Sequence, residues 1–161
     1  RRQSVTVTKR GIFLRGPLAA GAIGVAVGTG LLTPRIVLAA WPAEAFGAKE
    51  IPAALKGIYG SDTTEPSDAI KIKAPDIAEN GAVVPITIET EMADVSNIAL
   101  IAAANATPLV ADFALTPDSV PFVSTRIKMG KTGDVVAVVK AGGKMLSAKK
   151  SVKVTIGGCG G

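Results

Sequence analysis

The sequence predicts an all-β domain, an antiparallel β-sandwich of about seven strands. From Ala69 onward apolar and polar residues alternate, and β-branched residues are frequent, which is the pattern of half-buried strands. Turn residues separate these runs, and no helix-length segment lies between them, which argues against an α/β fold. The turn residues are Gly81, Pro108, Pro117, Gly130, Gly133 and the pair Gly142-Gly143.

Residues 1–40 resemble an export signal that precedes this domain. Residues 16–32 carry no charge, basic residues come before them, and the small residues Ala39 and Ala40 follow. We expect cleavage after Ala39 or Ala40, so that the mature domain spans residues 41–156. The alternative is a membrane anchor, but 17 residues that include five glycines and Pro17 make a poor spanning helix.

Thr8 to Phe13 resembles the twin-arginine export motif, in which two basic residues are followed by any residue and two apolar ones. Lys9 replaces the first arginine here, so the export route is the open point. Twin-arginine export moves an already folded protein out of the bacterial cytoplasm.

The basic charge of the chain belongs to this signal. Residues 1–40 hold six of the 18 Lys and Arg residues, whereas all 13 Asp and Glu residues follow them. The mature chain therefore has a net charge of 12 − 13 = −1. Binding to nucleic acid is not expected, because phosphate recognition needs a concentrated basic surface.

The mature chain begins with a helical segment. Ala43 to Tyr59 is rich in alanine, and its larger apolar residues have helical spacing. Pro52 lacks an amide hydrogen and disfavours helical torsions at Ile51, so we expect two short helices. A polar loop follows over Ser61 to Ser67.

The predicted strands follow in order after this loop. Ala99 to Ala104 has helical propensity, but its place within a β series favours a strand. The strands are Ile70 to Lys73, Val83 to Thr90, Val95 to Ala103, Leu109 to Leu115, Val120 to Met129, Asp134 to Lys140 and Lys144 to Ile156.

The chain ends on a glycine-rich arm, residues 157–161, which carries the only cysteine, Cys159. Glycine has no Cβ and adopts many backbone conformations, so the arm is expected to be flexible and to enter narrow clefts. The arm consists of Gly157, Gly158, Cys159, Gly160 and Gly161.

The chain lacks the residues that most kinds of enzyme catalysis require. There is no histidine, which removes the usual general base, the commonest metal ligand and any Ser-His-Asp or Cys-His arrangement. One cysteine cannot build a thiolate zinc site, and no phosphate-binding loop is present. We expect no metal and no cofactor, and an enzyme acting alone is not expected.

Cys159 is the remaining reactive group. A cysteine among four glycines at the end of a chain cannot be a core residue, and a prenylation box needs three residues after the cysteine, whereas Cys159 has two. An unpaired cysteine in an exported protein indicates a reactive thiol or intermolecular pairing. The arm supplies no cation to activate the thiol, so partner active sites would have to do so.

The sequence closely resembles the SoxY family of sulfur carriers in the periplasmic thiosulfate-oxidising Sox system. The terminal Gly-Gly-Cys-Gly-Gly of residues 157–161 is the hallmark of that family, and Lys73 to Ile86 is similar to its first-strand region. The resemblance covers essentially the whole mature chain.

The resemblance implies an immunoglobulin-like sandwich that pairs with SoxZ, a second small β-protein, in the periplasm. It also implies that Cys159 holds the substrate covalently. A c-type cytochrome couples thiosulfate to the thiol, a hydrolase releases sulfate, and a sulfane dehydrogenase oxidises the remaining sulfur. Gly157, Gly158, Gly160 and Gly161 would form the arm.

Two other functions stay open on the sequence alone. A ubiquitin-like sulfur carrier would be activated at the carboxylate of Gly161, although that family is cytoplasmic and has a β-grasp fold. A structural β-sandwich would dimerise through an intermolecular disulfide at Cys159.

Overall fold

The computed structural model describes residues 42–155, which form a two-sheet β-sandwich with two short helices. The helices are α1 (Ala43–Gly47) and α2 (Ile51–Tyr59). The nine strands of this part of the chain are β1 (Glu65–Pro66), β2 (Ile70–Lys73), β3 (Ile77–Ala78), β4 (Val84–Thr90), β5 (Val95–Ala102), β6 (Leu109–Ala114), β7 (Phe122–Ile127), β8 (Gly133–Ala141) and β9 (Lys144–Val154).

The larger sheet has the strand order β1-β9-β8-β5-β6, and β3 also pairs with β9; the smaller sheet has the order β2-β4-β7. All pairs are antiparallel except those that β1 and β3 make with β9, which are parallel. The β8–β9 hairpin turns at Gly142 and Gly143, with φ of 54° and 79°, which suits glycine at both central positions. The all-β, immunoglobulin-like sandwich is confirmed.

The main core lies between the two sheets and follows the two-residue period of the strands. In β4, Val84, Ile86 and Ile88 are buried while the residues between them are more exposed. Strands β5, β7, β8 and β9 present their own alternate apolar residues to the same core. Removing this apolar surface from water is the main favourable term in folding.

Strand β5 is buried on both faces, which explains its continuous apolar sequence. Ile98 and Leu100 belong to the core between the sheets, whereas Ala99 and Ile101 belong to a second cluster beneath the helices. A strand covered on both faces has no polar side to alternate with. The predicted strand at this position is therefore confirmed, despite the helical propensity of its alanines.

The helical segment is split in two, as predicted. The break lies at residues 48–50, and Pro52 sits in the first turn of α2, where its missing amide hydrogen costs no helical hydrogen bond. Ala54 and Leu55 are buried in the second cluster. Neither of the described helices is long and apolar enough to cross a membrane.

All seven predicted strands are present, with ends within a few residues of those expected. The sequence did not predict β1, which lies inside the predicted loop, or β3. Each has two residues and is defined by its pairing with β9, so neither is long enough to show an alternating pattern.

A polar contact holds α2 against the larger sheet. The Tyr59 hydroxyl donates a 2.6 Å hydrogen bond to Oδ1 of Asp112 on β6, and Asn97 Nδ2 donates to Oδ2 of the same carboxylate at 3.2 Å. Lys140 Nζ lies 5.7 Å from the centroid of the Tyr59 ring. Burial, and next the hydrogen bond to Asp112, raise the pKa of Tyr59 well above its usual value near 10.

This contact predicts a loss of stability in alkali. Because the pKa of Tyr59 is higher in the folded chain than in the unfolded chain, its contribution is complete below pH about 10 and declines as the pH rises further. Tyr59→Phe should lower the free energy of unfolding by about 1 kcal/mol at pH 7. The difference between the two proteins should shrink above pH 10 in urea titrations. A constant difference from pH 7 to pH 11 would contradict this account. Tyr59 is the only tyrosine of the chain, so no other phenol contributes.

Candidate functional site

The residues predicted to carry the function lie outside the described part of the chain. They are Gly157, Gly158, Cys159, Gly160 and Gly161. The structure describes the strand that leads to them: β9 ends at Val154, and Thr155 is the last described residue. The predicted end of this strand, Ile156, is likewise outside. The candidate site is therefore built from the fixed end of β9, which we call the arm root, residues 152–155.

The arm root is anchored in the core. Val152 is fully buried and pairs with Gly133 at the start of β8. From Lys144 to Val152, β9 runs antiparallel to β8. The eleven residues of β9 make it the longest strand of the described chain. The residues predicted to form the arm thus follow a strand that is paired and anchored in the core.

Strand β3 holds one side of the arm root. Lys153 N donates to the Asp76 carbonyl at 2.9 Å, and Thr155 N donates to the Ala78 carbonyl at 3.0 Å. These bonds make the end of β9 an interior strand rather than a free edge. Exposed edge strands are the usual sites of unwanted pairing, so β3 also covers the backbone from which the arm extends.

On the side of the arm root opposite β3, Thr132 binds Val154. Thr132 directly precedes the first residue of β8. Val154 N donates to Thr132 Oγ1 at 2.9 Å, and the same hydroxyl donates to the Val154 carbonyl at 3.2 Å. Val154 lies beyond the last pair of the β8–β9 ladder, Gly133 with Val152. A side-chain hydroxyl therefore satisfies both backbone groups of Val154 in place of a neighbouring strand.

The predicted turn at Asn80-Gly81 packs directly against the arm root. Asn80 Oδ1 accepts a hydrogen bond from Ala82 N at 2.9 Å, and the Gly81 carbonyl accepts one from Met129 N at 2.7 Å. A Cβ at position 81 would lie 2.7 Å from Val154 Cγ1 and would collide with the Met129 carbonyl. Any residue other than glycine would have to displace Val154 of the arm root or Met129.

The charges around the arm root are exposed. Lys150 Nζ and Asp76 Oδ1 form a 3.1 Å ion pair, but the Asp76 side chain is 88% exposed, so the pair adds little stability. The backbone hydrogen bonds therefore fix the root. Within residues 42–155 no group of three or more His, Cys, Asp or Glu side chains could hold a metal ion.

Sequence reasoning missed the residues that build the arm root. Asp76, Ala78 and Gly81 lie in the segment Lys73 to Ile86, which carried the family resemblance, but no local pattern connects that segment with β9. Thr132 shows no sequence signal, because its role depends on a contact with Val154, 22 residues away.

Comparison with protein families identifies the relatives of the chain. The model of the family described as sulfur oxidation protein SoxY matches residues 55–159, a range that covers all nine strands and ends on Cys159. The chain belongs to the SoxY family. The predicted resemblance is confirmed.

A solved SoxY structure agrees with this assignment. The sulfur carrier protein SoxY from Chlorobium limicola f thiosulfatophilum is 48% identical to this chain, with a TM-score of 0.59, and the match covers 64% of this chain and 94% of that one. A superoxide reductase (neelaredoxin) from Ignicoccus hospitalis has a TM-score of 0.51 at 16% identity, covering 57% of this chain and 95% of that one. The latter likeness concerns the fold alone. No curated protein sequence matched the chain.

The packing of Gly81 predicts a selective cost of adding a methyl group. Gly81→Ala should lower the free energy of unfolding by about 1–3 kcal/mol, because Val154 or Met129 must move. Gly47→Ala is the matched control: nothing lies within 4 Å of its added Cβ, and alanine is the better helix former. Urea unfolding measures both changes. Equal effects of the two substitutions would show that the Gly81 contact is not restrictive.

Proposed function

We propose that this SoxY-family protein is a sulfur carrier that holds sulfur covalently on Cys159 and presents it to partner enzymes. The family match, which extends to Cys159, is the observation that carries the proposal. A relative that is 48% identical is itself a sulfur carrier protein. Cys159 is the only thiol of the chain, so a thiol-bound intermediate has no other place to form.

The arm root supports this role by fixing the point from which the thiol is delivered. Hydrogen bonds from β3 and Thr132 hold the backbone as far as Thr155. Four residues lead from Thr155 to Cys159, and an extended chain spans about 3.3–3.6 Å per residue, so the thiol can reach about 14 Å from the root. A short tether keeps the local concentration of the carried group high at a docked active site.

The chemistry proposed for Cys159 begins with the oxidative coupling of thiosulfate. The thiol sulfur forms a bond to the outer sulfur of thiosulfate, the thiol proton is released, and two electrons pass to a c-type cytochrome. The product is a Cys159-S-S-sulfonate. Water then attacks the sulfonate sulfur in a hydrolase, sulfate and a proton leave, and the remaining sulfur stays on Cys159 as a persulfide for a sulfane dehydrogenase.

The partners and the location belong to the same proposal. The chain would form a heterodimer with a SoxZ-like subunit and work in the periplasm, after residues 1–40 have acted as the export signal. The carrier would not be an enzyme itself. The hydrogen bonds of the arm root support the part of the sandwich in this proposal, which is to position the arm. Partner active sites would activate the thiol.

The direct test is the mass of the protein from thiosulfate-grown cells. We expect a reductant-labile sulfur or sulfonate adduct on the C-terminal peptide, located on Cys159. Only a bare thiol, or only a homodimer disulfide, would refute the carrier role. An adduct on the Gly161 carboxylate would identify a carrier of the ubiquitin-like type instead.

Substitution of the thiol provides the functional test. Cys159→Ser should abolish thiosulfate-dependent electron transfer to the cytochrome in a reconstituted system, because no disulfide bond to the substrate can form. The circular dichroism of the sandwich should be unchanged. Lys144→Gln at the β8–β9 hairpin is the control, since it keeps both the thiol and the arm and should retain activity. Activity in Cys159→Ser would remove Cys159 from the mechanism.

A further inference from the structure

A basic cleft of about 680 Å³ opens at the same end of the sandwich as the arm root. The loop between β5 and β6 and the loop between β7 and β8 form its walls, and Lys49 comes from the segment between the helices. Its described lining consists of Lys49, Ala104, Asn105, Ala106, Thr107, Lys128, Gly130 and Lys131.

The backbone of the cleft is held in place by one side chain. Asn105 Nδ2 donates to the Lys128 carbonyl at 2.7 Å, and Asn105 Oδ1 accepts from Gly130 N at 2.9 Å. These two bonds join the β5–β6 loop to the β7–β8 loop. A Cβ at Gly133 would lie 2.6 Å from Ala104 Cβ, so the base of the cleft is also closely packed.

The charge of the cleft is positive throughout. None of its described lining residues is acidic. Within residues 42–155, Lys49, Lys128 and Lys131 form no ion pair, whereas other lysines of the same region do. Three lysines line this open space together with Thr107, and a cleft lined by one sign of charge favours a small ion of opposite charge, here an oxyanion.

The cleft lies within reach of the arm. The end of β9, the start of β8 and the end of β5 are adjacent at one end of the larger sheet. Since neighbouring strands are about 4.8 Å apart, two strand spacings separate the arm root from the β5–β6 loop by about 10 Å. The arm reaches about 14 Å from Thr155 to Cys159. Thr132, which binds Val154, directly follows the cleft residue Lys131.

We propose that this lysine cleft binds the sulfonate group of a sulfur oxyanion, either free thiosulfate or sulfate or the sulfonate carried on Cys159. The proposal rests on the carrier function described above. Docking in the cleft would hold the negative end of the adduct against the domain between visits to partner active sites. The ammonium groups would offset the charge of the sulfonate there.

The test follows the backbone amides of the ¹⁵N-labelled full chain by NMR in two experiments. NaCl keeps the ionic strength constant in both. In the first experiment, sodium thiosulfate or sodium sulfate is titrated into the Cys159→Ser chain. The second uses the wild-type chain loaded with tetrathionate. There the Cys159 thiol displaces thiosulfate and a proton, which leaves Cys159-S-S-sulfonate. We expect the amides of Asn105, Thr107 and Lys131 to shift saturably in the titration, or to shift in the loaded chain relative to the unloaded chain.

Paired lysine substitutions provide the control. Lys128→Gln with Lys131→Gln should weaken binding of the free anions about tenfold, since two of the three cationic groups that line the cleft are lost. Lys71→Gln with Lys144→Gln removes the same charge at the opposite end of the sandwich and should leave the affinity unchanged.

The outcomes separate the two sources of the sulfonate. Cleft shifts in the loaded chain without free anion identify the carried sulfonate as an occupant, and shifts with free anions alone identify a site for the free ion; both support the proposal. The proposal would be overturned by the absence of cleft shifts both in the titration and in the loaded chain, or by equal losses of affinity in the two lysine pairs. Because the mass measurement concerns Cys159 in cells and the NMR measurement concerns the cleft, failure of the carrier function can be distinguished from failure of the cleft proposal.

Discussion

The end of β9, which leads to the residues proposed to carry the function, depends on contacts from three separate parts of the chain. Strand β3 pairs with it on one side, the Thr132 hydroxyl binds both backbone groups of Val154 on the other, and Val152 is buried in the core beneath. Without these contacts the last residues of β9 would be a free edge that frays like other chain termini. With them, the backbone is hydrogen-bonded as far as Thr155, the last residue that the structure describes.

The same constraint brings distant parts of the sequence together at one end of the sandwich. The Asn80-Gly81 turn packs on Val154, and the loop that contains Thr132 also forms one wall of the basic cleft. A carrier needs a reactive group that moves and a body that does not, and the described residues form that body. Its few exposed ion pairs contribute little to stability, so apolar burial and backbone pairing maintain the geometry.

The sequence predicted those features whose interacting residues are close together along the chain, and it missed those whose partners are far apart. Strands such as β4 were predictable because apolar and polar residues alternate along them. Strand β5 was predictable from its place in a series of strands. Strand β3 was not, because its two residues are a strand only by pairing with Lys153 and Val154, more than 70 positions away. Likewise, Lys49 lies far from Lys128 and Lys131 in the sequence, so no local pattern predicts the cleft that these three lysines line.

The sequence by itself determined the all-β fold class, the split of the helical segment before Pro52, the family and the single thiol at Cys159. Each of these depends on local composition, on a short-range period or on one contiguous motif. The tertiary structure decided where the arm is anchored, why position 81 has to be glycine and which lysines face one another. These features arise from contacts between strands and loops that the sandwich brings together, and the order of residues along the chain does not encode them in any local pattern.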